Sequence, residues 1–373
     1  MHTKFVEDNY YGVPLHLGRI KDHIGLIKRR HLEEIEWAEA PVLVSTNRER
    51  YTMIHARSLH LAMLRRTVVI RWVTDFRKWQ DQPSPDFVDK AMEDPCFHEY
   101  FVSGCPGVIT KNMNKTLHLV NGRKVRYHSI VVPEDWTDWL KREIERTPIG
   151  HIVDLPVTPI AINVELDLHS SMSDSLKGAL RELDISSTQN DNSVVIPITP
   201  MRADWPNDSP SGRPQRMTPV HGGDGFEPSR VQLRAVFPLQ SALAYTIHKA
   251  QGETMNRAII AMSQSPIHKW NFTYEQVHVA FSRVKQSSHL KLLLLGDTED
   301  KKWGSITCVN RLAQDPCIGW YFMGFRRRLR PGEGDPNQNW VANEWSALRA
   351  NQNYRLHLRG LDPYSHHNDT DVL

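Results

Sequence analysis

This sequence has little of what marks several functional classes. It carries four cysteines in 373 residues, Cys96, Cys105, Cys308 and Cys317, and none stands in a C-x-x-C pair. That spacing speaks against a zinc ribbon, and free thiols in a reducing compartment are the simplest reading. No run approaches the ~18 apolar residues of a membrane span. The N-terminal MHTKFVEDNYYG has no apolar signal core. A soluble, intracellular, non-secreted protein with no membrane partner is expected. Charge of one sign is also missing. The formal net charge of +3 is too small to argue for nucleic acid by itself. Lys28-Arg29-Arg30 and Arg326-Arg327-Arg328 make local basic clusters, each more readily read as solvated surface. Two phosphate-handling features are absent as well. There is no G-x-x-x-x-G-K-[ST] loop to cradle phosphates. No apolar strand ends in an Asp-Glu pair that would hold Mg²⁺. The nearest run, Ile130-Val-Val-Pro-Glu-Asp135, has a proline and the wrong order. No metal site is read from the sequence.

What is present describes a globular chain. Hydrophobic residues are 40% and charged residues 24%, ordinary values for a folded protein. The length allows two or three domains. Residues 1–38 read as helix and loop leading in. Pro41-Val-Leu-Val-Ser-Thr46 is an apolar run. A helical pattern follows, with Tyr51, Ile54, Leu61 and Ala62 on one face and Asn47 as a candidate cap. Then comes Thr67-Val-Val-Ile-Arg-Trp-Val73, rich in β-branched residues. The order is β-α-β. Residues 74–95 read as a proline-bounded linker.

From about residue 96 the composition changes. Short strand-like pieces recur at His151–Leu155, Ile160–Leu166 and Ser193–Ile198, with a helical candidate from Trp136 to Arg146. Asn121-Gly122 predicts a type I′ hairpin turn, which needs φ > 0 twice. Together these pieces predict a small β-barrel. Residues 168–192 and 201–228 are rich in Ser, Asp, Asn, Pro and Gly and read as loops, partly disordered. Residues 326–373 read as a basic, then polar tail of low order.

The organising stretch is Ser241–Thr254, SALAYTIHKAQGET. It reads as a helix whose apolar run breaks into small, charged and hydrogen-bonding groups. The strand RAIIAMS follows, then an amphipathic helix ending on Ser282 and Arg283, then the strand HLKLLLLG. Helix, strand, helix, strand predicts a parallel sheet with helices on its faces, where ligands gather at strand ends. Thr246 and His248 sit where the apolar run ends. A hydroxyl and an imidazole near backbone N–H groups suit a phosphate of single-stranded DNA. Gly252 permits close backbone approach, and Gln251 can relay hydrogen bonds. Lys249 can meet a phosphate or a carboxylate.

These residues carry a resemblance. Thr246-Ile-His248-Lys249-Ala250-Gln251-Gly252-Glu253-Thr254 and Val279-Ala280-Phe281-Ser282-Arg283-Val284 resemble the last two motifs of the Pif/RecD-like superfamily-one DNA helicases. Those typically read T-x-H-K-[SA]-Q-G-x-T and [VA]-A-[LF]-S-R-[VA]. Ala40-Pro41, Thr46-Asn47-Arg48-Glu49-Arg50 and Val69-Ile70-Arg71-Trp72 are similar to an earlier segment of the family. His55 departs from it, standing where Asn is common. Gly104, Pro106, Thr110, Asn112, Asn114 and Val120-Asn121-Gly122 resemble the family's inserted barrel.

The resemblance spans about residues 35–325 and covers the family's C-terminal half only. It implies an α/β fold: a RecA-like parallel sheet with helices on both faces, interrupted by a small inserted β-barrel. The second RecA-like domain would take residues 39–95 and 229–325, and the barrel 96–228. Arg283 would be an arginine finger, stabilising charge on the transferred phosphoryl group. Gln251, Gly252, Lys249 and Arg50 would serve ATP binding and coupling. Thr246, His248, Thr254, Asn112 and Asn114 would contact single-stranded DNA. ATP with Mg²⁺ would bind only with the first motor half supplied, since that half carries the phosphate loop. The implied setting is DNA repair or recombination, nuclear if the source is eukaryotic. Alone, the chain would turn over no ATP. The alternatives are a non-catalytic remnant that still holds single-stranded nucleic acid, and an inert fragment.

Overall fold

The structure is a computed structural model. It describes residues 17–74, 76–78, 93–186, 192–202, 231–233, 235–262 and 273–312. The expected tail with Arg326-Arg327-Arg328 and all but the first two residues of the expected 201–228 loop lie outside the described residues. The chain falls into two compact units. The first draws on Met1–Leu26, Ala250–Asn256 and Ile260–Leu373, the second on Ile27–Lys249 and Arg257–Ile259.

In the second unit the apolar run forms the strand Val42–Val44, buried at all three residues. It pairs in parallel with Ala244–Thr246, Val42 opposite Ala244 and Val44 opposite Thr246. On its other edge, Ile259 N donates to the Pro41 carbonyl at 2.9 Å. A helix, Asn47–Leu64, packs on both Val42–Val44 and Ala244–Thr246. Its start is local chemistry. Thr46 Oγ1 accepts from Glu49 N at 3.2 Å, and Glu49 Oε2 accepts from Thr46 N at 3.0 Å. This reciprocal capping box makes Thr46 the cap, and Asn47, the candidate from sequence, is the exposed first helical residue. The helix buries Ile54, Leu61 and Ala62, as its periodicity predicts. It stops where Arg66 takes φ 53° and Thr67 N reaches back to the Ala62 carbonyl at 2.9 Å, a left-handed helix stop.

One buried residue on this helix breaks the apolar pattern. Arg57 is 7% exposed. Its Nη2 donates to the carbonyls of Trp37, Ala38 and Ala40 at 2.6, 2.7 and 3.0 Å. Trp37 and Ala38 close the short helix Ile35–Ala38, where a cation is favoured by the helix dipole, and Ala40 lies just beyond it. Burial pulls the guanidinium down to about 10.

Beside this lies a three-stranded group in which Val69–Val73 pairs in parallel with Ile152–Asp154 and antiparallel with His98–Phe101. A five-stranded antiparallel sheet follows, ordered Ser193–Ile198, Ala161–Asp167, Lys124–Val131, Pro106–Ile109, Leu239–Ser241. Its four earlier strands come from the stretch read as an inserted barrel. At Asn121-Gly122 the turn differs from the expectation. Arg123 N donates to the Val120 carbonyl at 3.0 Å, and positive φ falls on Gly122 alone, at 90°. That is the type II pattern rather than type I′, with the glycine at the position that needs it. Within 168–192, read as loop, Asp174–Arg181 is a helix capped by Ser173, whose Oγ accepts from Leu176 N at 3.3 Å.

The organising stretch also departs from its expected helix. Leu239–Ser241 pairs with Pro106–Ile109 and Ala244–Thr246 pairs with Val42–Val44. Two ladders take the backbone groups that a helix would need, so the apolar run is strand, and a turn follows it.

In the first unit, Gly25–Leu26 pairs in parallel with Leu290–Leu293, and Met262 N donates to the Leu293 carbonyl at 3.3 Å. The helix Tyr274–Phe281 buries Tyr274, Val277, Ala280 and Phe281. Leu17 N donates to Asn310 Oδ1 at 2.8 Å, tying the first described residue to the Thr307–Arg311 turn. Parallel strand pairs flanked by helices make this an α/β fold, as the sequence predicts. Among the described residues no helix is long and apolar enough to cross a membrane.

Candidate functional site

In the first unit the two motifs meet through Arg283. The helix before it starts on Thr273, whose Oγ1 accepts from Gln276 N at 3.3 Å while Gln276 Oε1 accepts from Thr273 N at 3.1 Å. It ends at Ser282, and the chain then presents Arg283 to the Ala250–Asn256 turn. Arg283 Nε donates to the Val279 carbonyl at 2.8 Å, Nη1 to the carbonyls of Ala250 and Glu253 at 3.3 and 3.1 Å, and Nη2 to Ser282 Oγ at 2.7 Å. Its own carbonyl accepts from Met255 N at 2.8 Å. Of the five guanidinium N–H groups, Nε supplies one bond, Nη1 two and Nη2 one. One Nη2 proton is left among the described residues. Burial lowers the Arg283 pKa, against the pull of nearby Glu253. Arg283 in turn lowers the His278 pKa, a smaller cause than burial.

The turn itself displays its polar residues. Gln251, Gly252 and Thr254 are exposed, and Met255 is buried beneath them. Gly252 takes φ 85°, and a Cβ built there would touch nothing within 4 Å. The glycine is required for conformation, not for space inside this chain.

The remaining expected residues lie in the second unit. Thr246 closes its strand, half-buried, and His248 is exposed. Lys249 is exposed, and its ammonium donates to Gln240 Oε1 at 2.5 Å. Desolvation first, and the nearby Arg50 charge second, bring that ammonium down to about 8. Arg50 stacks its guanidinium 4.2 Å over the Tyr51 ring, and its buried Nε has no hydrogen-bond partner. Two neighbouring cations therefore face one place. Asn112 and Asn114 are elsewhere, on the loop of the antiparallel sheet. Asn112 Oδ1 accepts from Asn121 N and Asn114 Oδ1 from Leu117 N, both at 3.0 Å. These carbonyls hold the loop's own shape.

Sequence reasoning missed Gln240, the partner of Lys249, and Glu99. Glu99 faces the same cavity as Arg50 and Lys249. Burial pushes its carboxyl up to about 8, and the Trp72 indole beside it opposes the shift. An acidic residue on a strand otherwise made of His98, Tyr100 and Phe101 was the available signal. His55, the departure from the family pattern, packs its ring 5.4 Å from Tyr100. Burial, then the Arg71 charge, lower its pKa. Arg71 is itself held by a bidentate bond to Asp154 at 2.5 and 2.8 Å.

No described protein family matches the sequence, and no curated protein matches it. Solved structures do. The crystal structure of Pif1 helicase from Candida albicans is 15% identical over 86% of this chain and 57% of that one, with a TM-score of 0.44. A structure of two coordinating Pif1 helicases at forked dsDNA is 12% identical over 78% of this chain and 46% of that one, TM-score 0.39. Pif1 from Bacteroides sp in complex with ADP-AlF4 is 12% identical over 78% and 48%, TM-score 0.34. The chain spans about half the length of these proteins.

Proposed function

We propose that this chain is the C-terminal half of an ATP-dependent DNA helicase motor, working with a first motor half that carries the phosphate loop. One observation carries the reading. The motif 246–254 and the motif 279–284, distant in sequence, are joined by Arg283, which bonds the Ala250 and Glu253 carbonyls. A guanidinium wired to the turn that leads from the DNA-facing residues suits coupling between strand grip and nucleotide. In this reading Thr246, His248 and Thr254 contact single-stranded DNA. Gln251, Gly252, Lys249 and Arg50 serve ATP binding and coupling, and Arg283 is the arginine finger.

ATP with Mg²⁺ supplies the transferable phosphoryl group when bound. In the first unit the spare Arg283 Nη2 proton fits an anion. This chain's residues would neutralise charge on the phosphates and would not cradle them. The location of the motor, nuclear if eukaryotic, and a role in repair or recombination belong to the same proposal.

A second reading, a non-catalytic remnant that holds single-stranded nucleic acid, is favoured by one fact: four of the five Arg283 protons are engaged within its own unit. The two separate on one experiment. The chain alone is mixed with oligo(dT) and ATP, with and without a first motor half bearing G-x-x-x-x-G-K-[ST]. The motor reading expects salt-dependent strand binding alone, and DNA-stimulated hydrolysis only in the mixture. Hydrolysis in the mixture that survives Arg283→Ala would sink the finger, and strand binding with no turnover in any mixture selects the remnant.

A further inference from the structure

The second unit contains a cavity of about 300 Å³ lined by Arg50, Tyr51, Trp72, Glu99, Gln240 and Lys249 among others. That volume lies at the small end of ligand pockets. Its character is mixed in an ordered way. The walls are aromatic: Trp72 meets the Phe237 ring edge-on at 6.0 Å, and Tyr51 is backed by the Arg50 guanidinium. One carboxyl, Glu99, faces in beside the Trp72 indole. Two cations, Arg50 and Lys249, line the same space, with Gln240 holding the Lys249 ammonium.

A core void has no use for this set. Flat aromatic walls stack a ring. A carboxyl kept protonated by burial both donates and accepts, which matches the adjacent donor and acceptor on the pairing edge of each base. Two cations elsewhere on the lining take an anion. We infer that this cavity binds one nucleoside monophosphate unit, its base between the aromatic walls and on the Glu99 carboxyl, its phosphate on Arg50 and Lys249. The inference rests on the cavity of one unit and is an alternative assignment of Arg50 and Lys249, which cannot hold this phosphate and an ATP phosphate at once. The nucleotide is either free or one residue of a single strand drawn into the pocket.

The test is titration of the whole chain with dTMP by calorimetry, with thymidine, deoxyribose 5-phosphate and inorganic phosphate as controls. Binding of dTMP well above either phosphate control is expected. Lys249→Met, an exposed change that leaves the fold intact, weakens dTMP about tenfold and leaves thymidine unchanged. Glu99→Leu weakens both, and Glu99→Gln, which keeps a donor and an acceptor, restores them. Competition by (dT)8 with the same variant sensitivities assigns the site to a strand nucleotide, and absence of competition assigns it to a free one. Equal binding of dTMP and inorganic phosphate, or dTMP binding unmoved by both variants, overturns the proposal. Oligo(dT) binding that persists through Lys249→Met and Glu99→Leu while dTMP fails to bind removes the pocket and leaves the helicase reading standing.

Discussion

Arg283→Ala tests whether this arginine holds its unit together as well as serving any nucleotide. Alanine removes four hydrogen bonds. Two are local, to Val279 and Ser282, and the turn of helix retains water for those groups. The other two bind the Ala250 and Glu253 carbonyls, more than 29 residues away in sequence, and the Ala250 carbonyl also keeps its bond from Glu253 N at 3.1 Å. A hydrogen bond from a charged donor contributes about 1.5–3 kcal/mol when well buried. Arg283 is only half-buried, so the lower end applies, and part of the loss is recovered by water. A destabilisation of about 2 kcal/mol follows. In urea, at a slope of about 3 kcal/mol/M, the midpoint falls by roughly 0.7 M. Arg283→Lys keeps the charge but not the planar fork and falls between, at about 1 kcal/mol. Equilibrium unfolding followed by tryptophan fluorescence reads both. A loss under about 0.5 kcal/mol for Arg283→Ala, the noise of surface substitutions, would refute the bracing role. Turnover in the reconstituted mixture would then report the phosphoryl-transfer role without a folding contribution.

Further expectations concern groups whose partners are long-range. Arg57→Met leaves the Trp37, Ala38 and Ala40 carbonyls without their donor, and about 2–4 kcal/mol of stability is lost; thermal unfolding within a degree of wild type would show those carbonyls find water. Gly252→Ala puts a Cβ at φ 85° in open space, so conformational strain alone costs about 1–2 kcal/mol, and a neutral result would mean the turn takes another shape. Glu99 has its carboxyl raised from 4.5 to about 8, so folding takes up a proton between those values. Its contribution is complete below pH 4.5 and is lost as pH rises toward 8. The difference between wild type and Glu99→Gln in unfolding free energy should therefore change across that window and level off above it; parallel curves would contradict an enclosed carboxyl. Lys249 works in the opposite sense. Its ammonium is lowered from 10.5 to about 8, so the penalty on its charged form is relieved as pH rises from 8 to 10.5, a slope that Lys249→Met abolishes.

Much of the fold was legible because it depends on neighbours in sequence. The strand Val42–Val44, the helix from residue 47 and the strands near 69–73, 161–167, 193–198 and 258–261 all stand where apolar runs and turn residues put them. The helix at 274–281 begins on Thr273 and Gln276, a reciprocal cap visible as T-x-x-Q. Where reading failed, distant partners had won. The run at 241–246 has a helix-compatible composition and is strand because Val42–Val44 and Pro106–Ile109 present open edges to it. Thr46 took the cap from Asn47 because only its hydroxyl closes the box with Glu49.

The chemistry divides along the same line. Residue types and order marked Thr246, His248, Gln251 and Gly252, since a run of polar groups after an apolar stretch has no role in burying a core, while the resemblance marked Arg283. Sequence alone also showed that this chain has no G-x-x-x-x-G-K-[ST] loop of its own. Tertiary structure decided the rest. It bound Arg283 to the Ala250 and Glu253 carbonyls, set Arg50 beside Lys249, enclosed the Glu99 carboxyl among aromatic rings, and committed Arg57 to three carbonyls. The reason is physical. A cap or a period is closed within a few residues, whereas a hydrogen-bond partner or a desolvated charge exists only after the chain has folded back on itself.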